Sequence, residues 1–334
     1  MSTNLLCDLL KNPARARKLS PEQWTSVLTI AHAERLAGSL AQRLEGLALP
    51  TAVQSALTTA RLNAETGRAQ ALWEVEIARR ALGDLGISIV LLKGSAFVAA
   101  GLSAGQGRLI GDLDILVPRD VLDRAEAALL AAGWEWAKPD AYDDMYYRCW
   151  MHELPPLIHK DRDRMIDVHH TILPLTARPT PDAAALIAGA VPLGNGLSIL
   201  NPADMIIHAA AHMLADGELD GGLRNLWDID RLVREFGDND GFWEQLTARA
   251  KLHQLSGSVN RALRLSNALY DTPVPAMSKR FISDAFFRTR MLARNDWGQN
   301  THRALRMAFY IRSHLLRMPS LMLLRHLWIK SRRR

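Results

Sequence analysis

The sequence predicts an α+β protein in which a small mixed sheet lies between an N-terminal helical segment and a C-terminal helical domain. Three observations carry that reading. Apolar residues recur at roughly helical intervals through the first 82 residues, as at Leu57, Leu62, Leu72 and Ile77. Residues 83–175 instead read strand, helix, strand, helix, in short apolar runs punctuated by glycine and proline. From Asn201 onward the helical pattern returns. The expected division is therefore 1–82, 83–175 and 176–334.

Each element has a local reason. Ser20-Pro21-Glu22 is a helix start, with serine as cap and proline in the first turn, and Pro50-Thr51 starts another helix that runs to about Arg80. Gly83-Asp84-Leu85-Gly86 ends it and admits a strand over 87–92. A helix is expected to begin at Ala96, and 101–111, with Gly105 and Gly107, reads as a flexible connection. The next strand ends at Pro118, and 121–132 is an Ala/Leu helix closed by Gly133. Trp136, Tyr142, Tyr146, Tyr147 and Trp150 follow, interleaved with Asp140, Asp143 and Asp144. Aromatics favour strands, so packing around a strand pair is preferred to a base-stacking platform. A short strand is expected over 164–170, a linker over 174–181, and helices at 204–214, 223–236, 242–255, 259–269 and 302–318.

Composition narrows the class. The 334 residues are 48% hydrophobic and 23% charged, which is ordinary for a globular chain with a sizeable core. Two cysteines, Cys7 and Cys149, form no Cys-x-x-Cys pair, so neither a disulfide framework nor a zinc knuckle is indicated and a reducing compartment is expected. The N-terminal apolar run is too short for a secretory signal, and no apolar stretch reaches the roughly 18 residues of a membrane span. A cytoplasmic protein is expected. The net charge of +6 owes part of its excess to Arg325, Lys330 and Arg332 to Arg334. That basic, Leu/Trp-containing tail reads as a last packed helix in preference to a peripheral contact with an anionic membrane.

The chemistry concentrates in 87–117. Asp112 and Asp114 alternate with Leu113 and Ile115, so on a strand the two carboxylates share one face. Aspartate is disfavoured in strands, and two side by side repel, a cost that a divalent cation relieves. Asp167, in Ile166-Asp167-Val168, repeats the conflict and suits a third carboxylate, with His169 on the same face. Gly94 allows a phosphate to approach the backbone, and the Ser95 amide and hydroxyl are candidate donors to it. Lys93 and Arg108 flank that spot as candidate neutralising cations. His208 and His212 lie one turn apart without a third ligand in view, so a metal site there is not favoured. Arg224 and Asp228, also one turn apart, read as an internal ion pair.

A Gly-Ser turn after one strand and Asp-x-Asp on the next resembles the nucleotidyltransferase superfamily related to DNA polymerase beta. The wording LLKGSAF, RLIGDLDILV and RMIDVHH is similar to bacterial "nucleotidyltransferase family" proteins, with a longer span from Ser95 to Asp112 than in many superfamily members. The resemblance implies a nucleotidyltransferase core with a helical domain closing over the substrates. It implies Asp112, Asp114 and Asp167 as catalytic and metal-holding residues, and Lys93, Gly94, Ser95, Arg108 and His169 as nucleotide-binding ones. It further implies Mg2+, or Mn2+ in its place, and a nucleoside triphosphate, ATP being expected. The acceptor is expected to be a small molecule, sugar or peptide. Nucleic acid ranks lower, because no RNA-recognition motif is present. A nucleotide-binding regulatory or scaffold protein without turnover, and a toxin-type protein AMP transferase, are the alternatives.

Overall fold

The computed structural model describes residues 2–275, 281–318 and 323. The chain opens with helices α1 (Ser2–Lys11), α2 (Pro21–Ala33), α3 (Ala37–Arg43) and the 32-residue α4 (Thr51–Leu82). Ser20 caps α2 in a full capping box with Gln23, and Pro21 occupies its first turn. The central region follows as β1 (Ile89–Leu91), α5 (Lys93–Ala99), β2 (Asp112–Leu116), α6 (Leu122–Ala131), β3 (Trp134–Trp136), α7 (Ala141–Trp150), β4 (Leu157–His159) and β5 (Met165–His169). Then come α8 (Ala183–Ala188), β6 (Val191–Gly194) and β7 (Leu197–Ile199). The last helices described are α9 (Pro202–Ala210), α10 (Gly222–Phe236), α11 (Phe242–Leu252), α12 (Ser256–Tyr270), α13 (Ile282–Met291) and α14 (Arg303–Arg317).

The seven strands form one mixed sheet in the order β3-β4-β5-β2-β1-β7-β6. Strand β2 is central, antiparallel to β1 and parallel to β5. It is also covered on both faces: Leu113 and Ile115 are buried on one and Leu116 on the other. The β2–β5 register places Asp114 opposite Asp167 and Leu116 opposite His169. The β6–β7 hairpin joins the far side by pairing β7 in parallel with β1, Ile89 opposite Leu197. The sheet thus draws strands from beyond residue 175, in a stretch that sequence reading left without strands; β6 is exposed throughout and carries Pro192 and Gly194, which masks the alternation.

Helices at both ends of the chain share one core. Leu6, Leu9 and Leu10 of α1, Trp24 and Ile30 of α2, and Leu263 and Leu269 of α12 belong to the same buried cluster as Ile115 and Val168 of the sheet. Two further differences from expectation have physical causes. Of the aromatic stretch, Trp136 lies in a strand pair, β3 with β4, but Tyr142 to Trp150 form α7: Asp140 caps it by accepting from the Tyr142 and Asp143 amides, and Tyr142, Tyr146 and Trp150, four residues apart, contact one another along one face. The 101–111 connection is anchored, not flexible. Ser39 Oγ donates to the Gln106 carbonyl at 3.2 Å, Arg224 to that of Ala104 at 3.1 Å, and Glu235 accepts from the Ser103 amide at 2.8 Å. The basic tail expected to pack as a last helix lies outside the described residues, Leu323 excepted.

The tightest of these anchors is a glycine pair. Gly107 has φ +64°, and a Cβ there would lie 2.3 Å from the Gly38 carbonyl oxygen; a Cβ on Gly38 would lie 2.4 Å from that of Gly107. Gly107→Ala should therefore cost about 3 kcal/mol, combining overpacking with left-handed strain. Gly46→Ala, at φ +77° with open space around it, should cost only about 1 kcal/mol. Urea unfolding of both variants checks this; equal losses would show that backbone contact at Gly107 contributes nothing.

Candidate active site

The site is built where β1 hands over to α5 beside β2. Leu92 is extended and its N–H donates to the Asp114 carbonyl at 3.0 Å, so the chain stays on the sheet until the turn. Lys93 then adopts φ +49°, and its Nζ reaches Asp114 Oδ1 at 2.6 Å. At Gly94 a Cβ would come within 2.7 Å of Arg108 Nε. The missing side chain is what lets Arg108 lie across the start of α5, with its guanidinium 5.6 Å from the Phe97 ring centroid.

Strand alternation and register then assemble the acids. Asp112 and Asp114 share a face of β2, Asp167 stands opposite Asp114 on β5, and one oxygen from each lies within 4.8 Å of the others. Asp112 is exposed, Asp167 half-buried and Asp114 only 3% exposed. Burial works to raise the Asp114 carboxyl, but the Lys93 ammonium and His169 outweigh it and hold the group well below the usual carboxylate range. Asp167 is offset only by the charge of His169, which does not prevail. Burial, with Glu153 and Asp114 adding like charge, pushes it up to about 7, and its buried Oδ1 accepts no hydrogen bond. An all-oxygen donor set with a buried, unpaired oxygen fits a hard divalent cation. Asp112, Asp114 and Asp167 are the residues that would hold it.

Behind this cluster His169, 1% exposed, directs Nε2 to Asp114 Oδ1 at 3.0 Å. Burial lowers its basicity, but the Asp114 bond and the charge of Glu153 prevail, so its pKa is raised. In front, a cavity of about 290 Å³ separates the sheet from the helical half. Lys93, Gly94 and Asp112 line one wall, and His208, His212 and Asp228 the other. The Lys93 ammonium, with burial adding to it, lowers His212 to about 3; burial, with Lys93 adding, keeps His208 well below its usual value. Both imidazoles are therefore neutral at pH 7.

Arg224 and Asp228 form the expected ion pair, Nη2 to Oδ1 at 2.7 Å. Asp228 also binds Arg108, and Arg224 donates to Ser39 Oγ at 2.6 Å. Helix α10 is thereby fastened to the loop that carries Arg108 and to α3. Ser95 departs from expectation: it is 1% exposed and its hydroxyl donates to the Leu92 carbonyl at 3.3 Å, so the side chain serves its own turn and is not aimed into the cavity. Asp112, Asp114, Asp167, Lys93 and His169 form one cluster, with Gly94 and Arg108 beside it on the cavity wall. Sequence reading missed His152 and Glu153, which approach His169, because nothing in His152-Glu153-Leu154 marks the chain's return to β5. Among the free side chains flagged in the sequence, Cys7 is buried and Cys149 exposed, and neither forms a disulfide.

The electrostatics of Asp167 make stability depend on pH. The folded carboxyl keeps its proton up to about pH 7, while the unfolded one releases it near its ordinary value of 3.8. Between these limits the folded state holds more protons, so this group removes stability as pH rises. Without metal, Asp167→Asn should therefore be more stable than the wild type at pH 8, by about 2–4 kcal/mol, and the difference should vanish below pH 4. Mg2+ should raise the melting temperature of the wild type and leave that of the variant unmoved. Parallel pH profiles in thermal-shift measurements would contradict the assignment.

Comparison with known families covers this part of the chain. A family described as "uncharacterised nucleotidyltransferase" matches residues 20–271, about three quarters of the chain and all of the cluster above. No curated protein and no solved structure matches the chain. On the strength of the family match, the chain belongs to this nucleotidyltransferase family.

Proposed function

We propose that the protein is a metal-dependent enzyme that moves a nucleoside monophosphate from a nucleoside triphosphate, ATP foremost, to a hydroxyl of a small molecule, sugar or peptide. The observation that carries this is the register: Asp114 opposite Asp167, Asp112 on the same face, and a buried carboxylate oxygen left without a partner. Held by these three groups, Mg2+ or Mn2+ would supply charge neutralisation at the triphosphate and activation of the attacking oxygen. The acceptor oxygen forms a bond to the α phosphorus, the α–β bridging bond breaks, and pyrophosphate leaves. Lys93 and Arg108 offset the charge that develops on the leaving phosphates, and Gly94 leaves room for them beside α5. Asp167 orients the acceptor hydroxyl and takes its proton. The arginines and Asp228 hold α10 over the cavity and keep bulk water from competing with the acceptor. A cavity of about 290 Å³ suits a small acceptor better than a nucleic-acid strand.

Mg2+-dependent pyrophosphate release from each of the four nucleoside triphosphates, with cell extract supplying acceptors, tests the reading. Asp112→Asn and Asp114→Asn should each lower it by about 10³-fold or more. Release unchanged in both variants would end the proposal. Label transferred to a polypeptide instead of a small product would identify a protein AMP transferase.

The Lys93–Asp114 pair supports a second reading, a nucleotide-binding regulator, because an ammonium there occupies an oxygen that the cation would need. Lys93→Ala separates the two. For an enzyme, metal binding without nucleotide should tighten about tenfold while turnover drops about 10²-fold. For a regulator, nucleotide binding would weaken with no turnover to lose.

A further inference from the structure

We infer a second cation site beside the carboxylate triad, formed by His152, Glu153 and His169 and suited to a transition-metal dication of the zinc class. One ligand atom from each residue lies within 4.8 Å of the others. The backbone sets this arrangement. Glu153 bridges antiparallel to His169, the Leu154 N–H donates to the Val168 carbonyl at 2.9 Å, and the His170 N–H to that of His152 at 2.9 Å. Residues 152–154 therefore lie along the end of β5 as a short extra strand, with Glu153 on the His169 face.

Three features distinguish the cluster from an ordinary hydrogen-bonded group. Glu153 Oε2 stands 3.4 Å from His169 Nδ1 and 3.7 Å from His152 Nε2. Both separations exceed the ~2.7–2.9 Å of a charge-assisted hydrogen bond. They approach the ~3.3 Å edge of a tetrahedron whose bonds are those of zinc to nitrogen and oxygen. In addition, His169 Nδ1, the atom that faces Glu153, is buried with no hydrogen-bond partner, and both imidazole rings are more than nine-tenths buried. Finally, His169 Nε2 is held by Asp114 Oδ1. That bond fixes a ring proton on Nε2 and turns Nδ1 toward Glu153, the carboxylate–histidine–metal relation in which the carboxylate orients the ligand.

The ligand chemistry selects the ion. Two imidazoles and one carboxylate favour zinc-class dications over Mg2+, which prefers oxygen. Three protein ligands leave a fourth position for water or substrate. Through His169 the site would also set the position of Asp114, and so tune the neighbouring triad without sharing its ion.

The test is a calorimetric titration of chelator-treated full-length protein with Zn2+ in a large excess of Mg2+ and without nucleotide, so its result is independent of the transferase reading. One equivalent should bind, about 100-fold more weakly in His152→Ala and in Glu153→Gln, and unchanged in Asp112→Asn. Co2+ added to the unmodified protein should give the intense visible absorption of a tetrahedral site, a readout that needs no variant to fold. Absence of Zn2+ and Co2+ binding under excess Mg2+ would overturn the proposal and leave His169 as an imidazolium shared by two carboxylates. Binding lost in Asp112→Asn but kept in His152→Ala and Glu153→Gln would also overturn it, placing the ion on the triad.

Discussion

The constraint on which this structure depends is the repulsion among three carboxylates brought together in the middle of a sheet. At the observed separation, each ionised pair repels by about 3 kcal/mol at an effective dielectric of ~20, and water offsets this least at Asp114, the one buried member of the three. The surroundings compensate one acid more than another. Asp114 is bonded to Lys93 and His169; at Asp167 burial and the charges of Glu153 and Asp114 outweigh the opposing charge of His169, and its proton affinity rises until it matches that of a histidine.

Much of the remaining architecture serves that placement. Burying β2 on both edges requires β1 and β5 as neighbours, and β1 in turn is covered by β7, so the sheet extends well past the strands that carry the acids. Beside the shared apolar core, the helices are tied together by polar contacts, from Asp228 to Arg108 and from Arg224 to Ser39 and the Ala104 carbonyl. Those contacts join α10, the 101–111 loop and α3. Gly38 and Gly107 allow the backbones there to touch, which fixes where Arg108 stands relative to Gly94. The loop that carries the arginine is thus as well determined as the strand that carries the acids.

How much of this the sequence revealed follows from the range of the interactions involved. Asp112 and Asp114 were legible because alternation is a period-two signal within five residues, and their conflict with strand propensity marks them. The α2 cap, the start of α4 and the Arg224–Asp228 pair were legible for the same reason: each depends on residues within one helical turn. The Asp114–Asp167 register, in contrast, spans more than fifty residues; the aspartate in Ile166-Asp167-Val168 and the resemblance of RMIDVHH to known relatives marked Asp167, but no local signal set its register against Asp114. The α7 helix was misread because aromatic content was weighed above the four-residue spacing of Tyr142, Tyr146 and Trp150. The 101–111 loop was misread because glycine signals freedom locally, while here it signals contact with Gly38. His152 and Glu153 carried no local signal at all; they acquire meaning only where the chain returns to His169.

The most direct test of the central claim is a crystal structure of the protein with Mn2+ and a non-hydrolysable nucleoside triphosphate, with manganese located by its anomalous scattering. The account predicts manganese about 2.1 Å from oxygens of Asp112, Asp114 and Asp167, with Lys93 moved off Asp114 toward the phosphates. Manganese elsewhere, or a nucleotide bound with Lys93 still on Asp114 and no metal at the three carboxylates, would contradict it.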